Sequence, residues 1–405
     1  MIPRLLMGGF IVVTAAAAVF AADPTAYVIN STGETLSKIN LTTGQVTNDI
    51  VTLGRDIDSY PNQIIVRDTL AYVICSGTDE IQIINLNDQK TAGWISFPAG
   101  ENPYWMAFAD DTTLYVTLLT ANAVARVNPV THQEVARKTV GLSPEGIVII
   151  GNIAYIAITA YDFNTWSWGQ GMVAVYDIGG DSVVASIPVG KNPQFMAMDR
   201  LGRIHVSCTG DYWSIPGMIY IIEPTDTTVI DSLSIGGQPG QICIGPDDIA
   251  YLAAGGWAAD GEVLQYRSLT GEILHGGGSP IVVDSGAVGI ASFQDSTVFV
   301  TCFGDKVVRL DSTGGKLYTY IAGDGPGHLD FNYLPGDANG DWQVNVGDAV
   351  YLVTYVFRGG APPIEPRWRA NANGDGAINV GDAVYVVTYI FRGGPRPKVG
   401  PTWVR

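Results

Sequence analysis

Tyr72-Val-Ile-Cys75, a short gap, then Glu80-Ile-Gln-Ile-Ile-Asn85: this stretch decides the fold, because its pattern returns along the chain every 40 to 50 residues. The first member recurs as Tyr27-Val-Ile-Asn30, Tyr115-Val-Thr-Leu118, Tyr155-Ile-Ala-Ile158, His205-Val-Ser-Cys208, Tyr251-Leu-Ala-Ala254 and Phe299-Val-Thr-Cys302. After each comes a second alternating run, such as Met172-Val-Ala-Val-Tyr-Asp177. A turn rich in Asp, Asn, Thr and Gly leads to a third run, such as Val183-Val-Ala-Ser-Ile-Pro188. Gly and Pro then introduce a fourth, as in Pro193-Gln-Phe-Met-Ala-Met198. Short runs of period-2 apolar residues bounded by such turns are strands. Four strands in 40 to 50 residues make one propeller blade, so the pattern predicts a mainly β chain with a seven-bladed β-propeller over 22–334.

The repeats resemble the YVTN family of β-propellers, named for the marker strand, over roughly 24–334. The first repeat begins at its marker strand and lacks an innermost strand. The segment Gly325-Pro326-Gly-His328-Leu-Asp330-Phe-Asn-Tyr333 repeats the lead-in of the other blades. Strand 328–333 is therefore expected to complete the first blade and close the ring, which would leave no free edge for aggregation.

Beyond the ring one calcium-binding pattern is written twice, 34 positions apart. The first copy places oxygen side chains at Asp337, Asn339, Asp341, Gln343, Asn345 and Asp348. The second places them at Asn371, Asn373, Asp375, Asn379 and Asp382, with Ala377 offering only its backbone carbonyl. This is the spacing with which a twelve-residue loop wraps a hard cation in oxygens. Asp, Asn and Gly also fill ordinary turns, but both copies run on into Ala-Val-Tyr-x-Val-Thr-Tyr-x-Phe-Arg-Gly-Gly. Two calcium ions are thus expected. Carboxylate count slightly favours the first loop, against the strain of Trp342 at the sixth position, where the second loop has Gly376. The unit resembles a type I dockerin over about 335–395, which implies a small α-helical module (335–398, with a 399–405 tail) and a cohesin partner. Asn371 departs from the family's Asp. Val346-Gly347 and Val380-Gly381 stand where many dockerins carry a Ser-Thr pair that helps choose the partner. The calcium chemistry carries over from the family and the partner code does not, so another copy's surface is the alternative partner.

Composition sets limits. The net charge is −17, with almost none of the excess in 335–405, where six acidic residues meet seven basic ones. No basic stripe exists for nucleic acid. Arg4, an apolar run from Leu5 to Phe20 and Ala21-Ala22 predict a signal peptide over 1–21, hence a secreted, extracellular or cell-surface protein. Its sixteen apolar residues fall short of the ~20 that span a bilayer. No later segment is apolar enough to serve. Cys75, Cys208, Cys243 and Cys302 lie in separate apolar runs and read as small buried hydrophobes rather than disulfide or zinc ligands.

No catalytic constellation stands out. His132, His205, His275 and His328 fall in different repeats without ligand spacing, and no nucleophile elbow, zinc helix or P-loop occurs. The uneven feature is aromatic. Trp166, Trp168, Tyr212, Trp213 and Trp257 lie in long connections of three successive repeats, and Tyr104-Trp105 sits where a blade is entered. These connections open on one face, where such side chains suit a glycan, a peptide or a protein partner. Capping of blade interfaces is the plainer alternative. The sequence points to an exported, non-catalytic binding or assembly protein. A dockerin-bearing polysaccharide-degrading or other propeller enzyme, and a self-assembling structural subunit, are the rivals.

Overall fold

A computed structural model describes residues 20–21, 23–255 and 260–399. Seven antiparallel blades carry the chain up to Phe331, each running from an inner to an outer strand; six have four strands, and in the remaining one a short fifth strand, Ile281–Val283, also pairs with Gly261–Arg267. Blade 2 is typical: Pro61–Arg67, Leu70–Cys75, Glu80–Asn85 and Lys90–Ser96. The second strand of each blade holds the ring together. Ile204–Cys208 and Val298–Cys302 are buried at every position, because both faces of a blade pack on neighbouring blades. The outermost strands face water, as Thr228–Leu233 does along nearly its whole length.

The first blade is completed from the far end of the ring. Its innermost strand is Pro326–Phe331, in antiparallel register with Thr25–Asn30 (Ala26 opposite Phe331, Val28 opposite Leu329). The pairing thus ends two residues earlier than the 328–333 expected from the lead-in pattern. Tyr333 has left the sheet and stacks on Phe293 beneath the ring, at 6.1 Å between centroids.

Hydroxyls at or just after the marker strand lock one blade to the next. Ser31 donates to the Pro61 carbonyl, Ser76 to Pro103, Thr117 to Glu145, Thr209 to Pro239 and Thr301 to Gly327, all within 2.6–2.9 Å. Inner strands also approach closely: a Cβ on Gly289 would lie 2.2 Å from the Gly327 carbonyl oxygen. All four cysteines are free thiols.

Below the ring the chain forms two near-identical helices, α1 (Val346–Arg358) and α2 (Val380–Arg392). Asn345 and Asn379 cap their N-termini, each in a reciprocal box with the Asp three residues on. Gly359 and Gly393 end them in the left-handed conformation. A core of Leu334, Val344, Leu352, Val386 and Ile390 joins the helices. Among the described residues no helix is long and apolar enough to cross a membrane. The expected signal segment lies outside the described residues except Phe20–Ala21, a short strand paired with Gln343–Val344. Residues 400–405 of the tail also lie outside.

Candidate functional site

The inner strands surround a channel, and its two mouths differ. We call the upper mouth the one where blades are entered and where second strands turn into third. It is a cavity of about 620 Å³. Tyr104, Trp105, Phe195 and Tyr212 supply its aromatic wall, and Asn62, Gln194, Gln238 and Gln241 supply carboxamides. Among the described residues lining it there is no Asp, Glu, Lys or Arg. His328 stands at the centre and lines both the upper cavity and a lower one of about 370 Å³.

His328 is held neutral. The Ile64 N–H donates to its Nδ1 at 3.2 Å, Trp105 packs edge-on against the ring at 5.2 Å, and burial pushes its pKa down to about 3. With Nδ1 accepting, the proton belongs on Nε2, a single donor. Glu145 lies close to Tyr104 and Tyr212. Burial pushes its carboxyl up to about 8, against a hydrogen bond from Gln194, and its Oε2 has no partner. Burial thus favours the neutral form of both groups. Gln194 Oε1 receives a hydrogen bond from Tyr212, and Gln241 Oε1 receives the Ile290 N–H, so the wall is braced by its own polar groups.

The structure brings Tyr104, Trp105 and Tyr212 into the cavity wall. Trp166 and Trp213 stand outside on the rim, 76% and 83% exposed. Trp168 joins rim to wall, 5.8 Å from Tyr212 and 6.3 Å from Trp213, while pairing with Tyr161 in a small hairpin. Trp257 lies outside the described residues. Sequence reasoning missed Phe195, His328 and the carboxamides. Their signal was present: they sit on or beside inner strands, whose exposed edge can only face the channel.

Elsewhere, His205 is a buried core residue joined to Tyr266 (2.8 Å) and Asp199 (3.2 Å). Among the described residues, no three His, Cys, Asp or Glu side chains gather as a metal site.

The lower mouth is covered. Trp342 stacks on Phe293 (6.0 Å) and Tyr333 (6.1 Å), Trp368 meets Tyr333 edge-on, and Arg369 donates to Gln294 at 2.9 Å. Arg396 pairs with Asp68 at 2.8 Å, and Arg67 donates to the Val399 carbonyl. The helical unit therefore sits under the channel. Trp342 accepts a φ of 64° here, and its stacking on the ring accounts for a bulky residue at that position.

Both twelve-residue loops are closed by their last carboxylate: Asp348 accepts from Ala338, Asn339 and Asn345, and Asp382 from Asn373 and Asn379. Asn339 and Asn373 each bond the following Asp341 or Asp375, Asn345 and Asn379 act as caps, and Gln343 and Ala377 are exposed. Asp337 and Asn371 are fully buried at the first position. The Asn371 carboxamide has no partner on either atom, and an oxygen-seeking ion in that loop would answer its Oδ1. Each helix turns an apolar stripe to solvent, Val346, Val350, Val353 and Phe357 on α1 and Val380, Val384, Val387 and Phe391 on α2.

No protein-family model matches the chain, and no curated protein matches it in sequence. Solved structures are similar in fold. Kuenenia stuttgartiensis hydrazine synthase matches with 17% identity and a TM-score of 0.57, covering 69% of this chain and 91% of that one. A streptogramin B lyase matches with 11% identity and a TM-score of 0.54, covering 78% and 93%. A catalytically inactive virginiamycin B lyase from Staphylococcus aureus, with quinupristin, matches with 16% identity and a TM-score of 0.53, covering 66% and 86%. This chain is a seven-bladed β-propeller. At these identities the likeness extends to the fold alone.

Proposed function

We propose that the chain is an exported, non-catalytic binding and assembly protein. Its upper mouth receives a neutral ligand, a glycan or a peptide. Its C-terminal unit, a dockerin-like module with two calcium ions, attaches the propeller to a protein partner in a cell-surface or extracellular complex. One observation carries the reading: a large cavity lined by four aromatic residues and four carboxamides, with no Asp, Glu, Lys or Arg among the described residues of its lining, lies opposite a mouth that the C-terminal unit covers. Flat apolar rings beside paired donors and acceptors suit uncharged hydroxyl-rich or amide-rich ligands. Catalysis finds less support, since among the described residues lining the cavity no Asp, Glu, Lys or Arg stands beside His328 as a partner. The matching apolar stripes on α1 and α2 favour a second reading, self-assembly through another copy.

A glycan and peptide array with product analysis tests the first reading. Retained, unaltered ligand is expected, and released product would move the chain to the enzyme class. Sizing with and without calcium tests the second: a calcium-dependent oligomer supports self-assembly, and a monomer throughout returns the stripes to a different partner.

A further inference from the structure

The two loops differ in what already answers the side chain at their first position. Asp337 accepts N–H groups from Gly340, Asp341 and Trp342, and the Arg369 guanidinium lies 3.5 Å from its Oδ2. Arg369 is itself fully buried, over the face of Tyr333 and bonded to Gln294, so its charge belongs to the loop and to the propeller at once. Gly340 makes room for it: a Cβ there would come within 2.8 Å of Nη2. Asn371, the counterpart of Asp337, is just as buried, yet neither Oδ1 nor Nδ2 has a partner.

We propose that the repeats divide their work: Arg369 is an internal cation that organises the first loop against the propeller, and the second loop is the one whose closure depends on calcium. The inference rests on the calcium reading above. Counting carboxylates favours the first loop, with Asp337, Asp341 and Asp348 against Asp375 and Asp382. Arg369 cancels that advantage, because a buried positive charge beside the first ligand repels a second cation at short range. Backbone strain then acts in the same direction, since Trp342 holds a positive φ that Gly376 adopts freely. In the second loop Asn371, Asn373, Asp375, Asn379, Asp382 and the Ala377 carbonyl would hold the ion, which would answer the buried, unpartnered Asn371 Oδ1.

Calorimetric titration of the full chain with calcium tests this, using Asp341→Ala and Asp375→Ala, both at exposed positions. The expected result is one tight phase, lost in Asp375→Ala and kept in Asp341→Ala, with any second phase at least about tenfold weaker. Arg369→Gln should strengthen the weak phase about tenfold, and Arg369→Lys should leave it weak. Should Arg369→Gln unfold, the two aspartate variants decide alone. Two equal phases, or loss of the tight phase in Asp341→Ala, overturn the division and leave the calcium reading standing. Absence of binding in every variant overturns both.

Discussion

The two mouths of the channel are built from the same seven repeats and end up opposite in character. The upper mouth is open and aromatic, and its described lining has no Asp, Glu, Lys or Arg. The lower is capped by Trp342, Trp368 and Tyr333 and ringed by ion pairs such as Arg396–Asp68. Connections on the upper side are free to lengthen, because each starts and ends within a blade or between adjacent blades. On the lower side the chain leaves the ring at Phe331 and must fold at once, so its first aromatic residues become a brace. One face is left for binding and the other is committed to holding the ring and the helices together.

The largest effect should come from the closing strand. Deleting Gly325 onward removes Pro326–Phe331 along with the brace, and cooperative unfolding should be lost. Truncation after Pro335 keeps the strand and should leave one sharp, lower transition. Equal melting of the two truncated proteins would show that the ring does not need its last strand.

Next is pH. The raised carboxyl of Glu145 means that folding keeps a proton the unfolded chain releases above about 4.5. Its contribution to stability is full below that pH and is lost as pH rises through about 8, at on the order of 1.4 kcal/mol per pH unit. Glu145→Gln should flatten that decline, as read by denaturant unfolding at several pH values. An unchanged slope would mean that Glu145 is already ionised in the folded ring at neutral pH, and the upper wall would then hold a buried charge.

Trp342→Ala should cost roughly 2 kcal/mol, less than the ~3–5 of a fully buried aromatic because the ring is only partly covered. Trp342→Gly separates strain from stacking: it relieves the positive φ and should be the milder change. If both variants melt like the parent, the lower brace is not a structural element.

The smallest effect belongs to the upper rim. Replacing Trp166 and Trp213 together with Ala should shift stability by about 0.5 kcal/mol or less, since both are exposed. Binding on the array should weaken severalfold. A marked loss of stability with unchanged binding would make the rim structural and erase the difference between the mouths.

Sequence alone settled the repeat count, the strand order within a blade and the source of the missing inner strand. These follow from local periodicity and turn chemistry, which need no knowledge of distant residues. Only the tertiary structure decided which aromatics face the channel and which stand on the rim, for Trp105 and Trp213 look alike in sequence. It also decided that Trp342 braces the ring instead of merely straining a loop, and that Arg369 lies against Asp337, 32 positions away. Those outcomes depend on which surfaces are left uncovered once the ring has closed. Burial, charge pairing and the pKa values of His328 and Glu145 are properties of that closed ring, and no local stretch of sequence carries them.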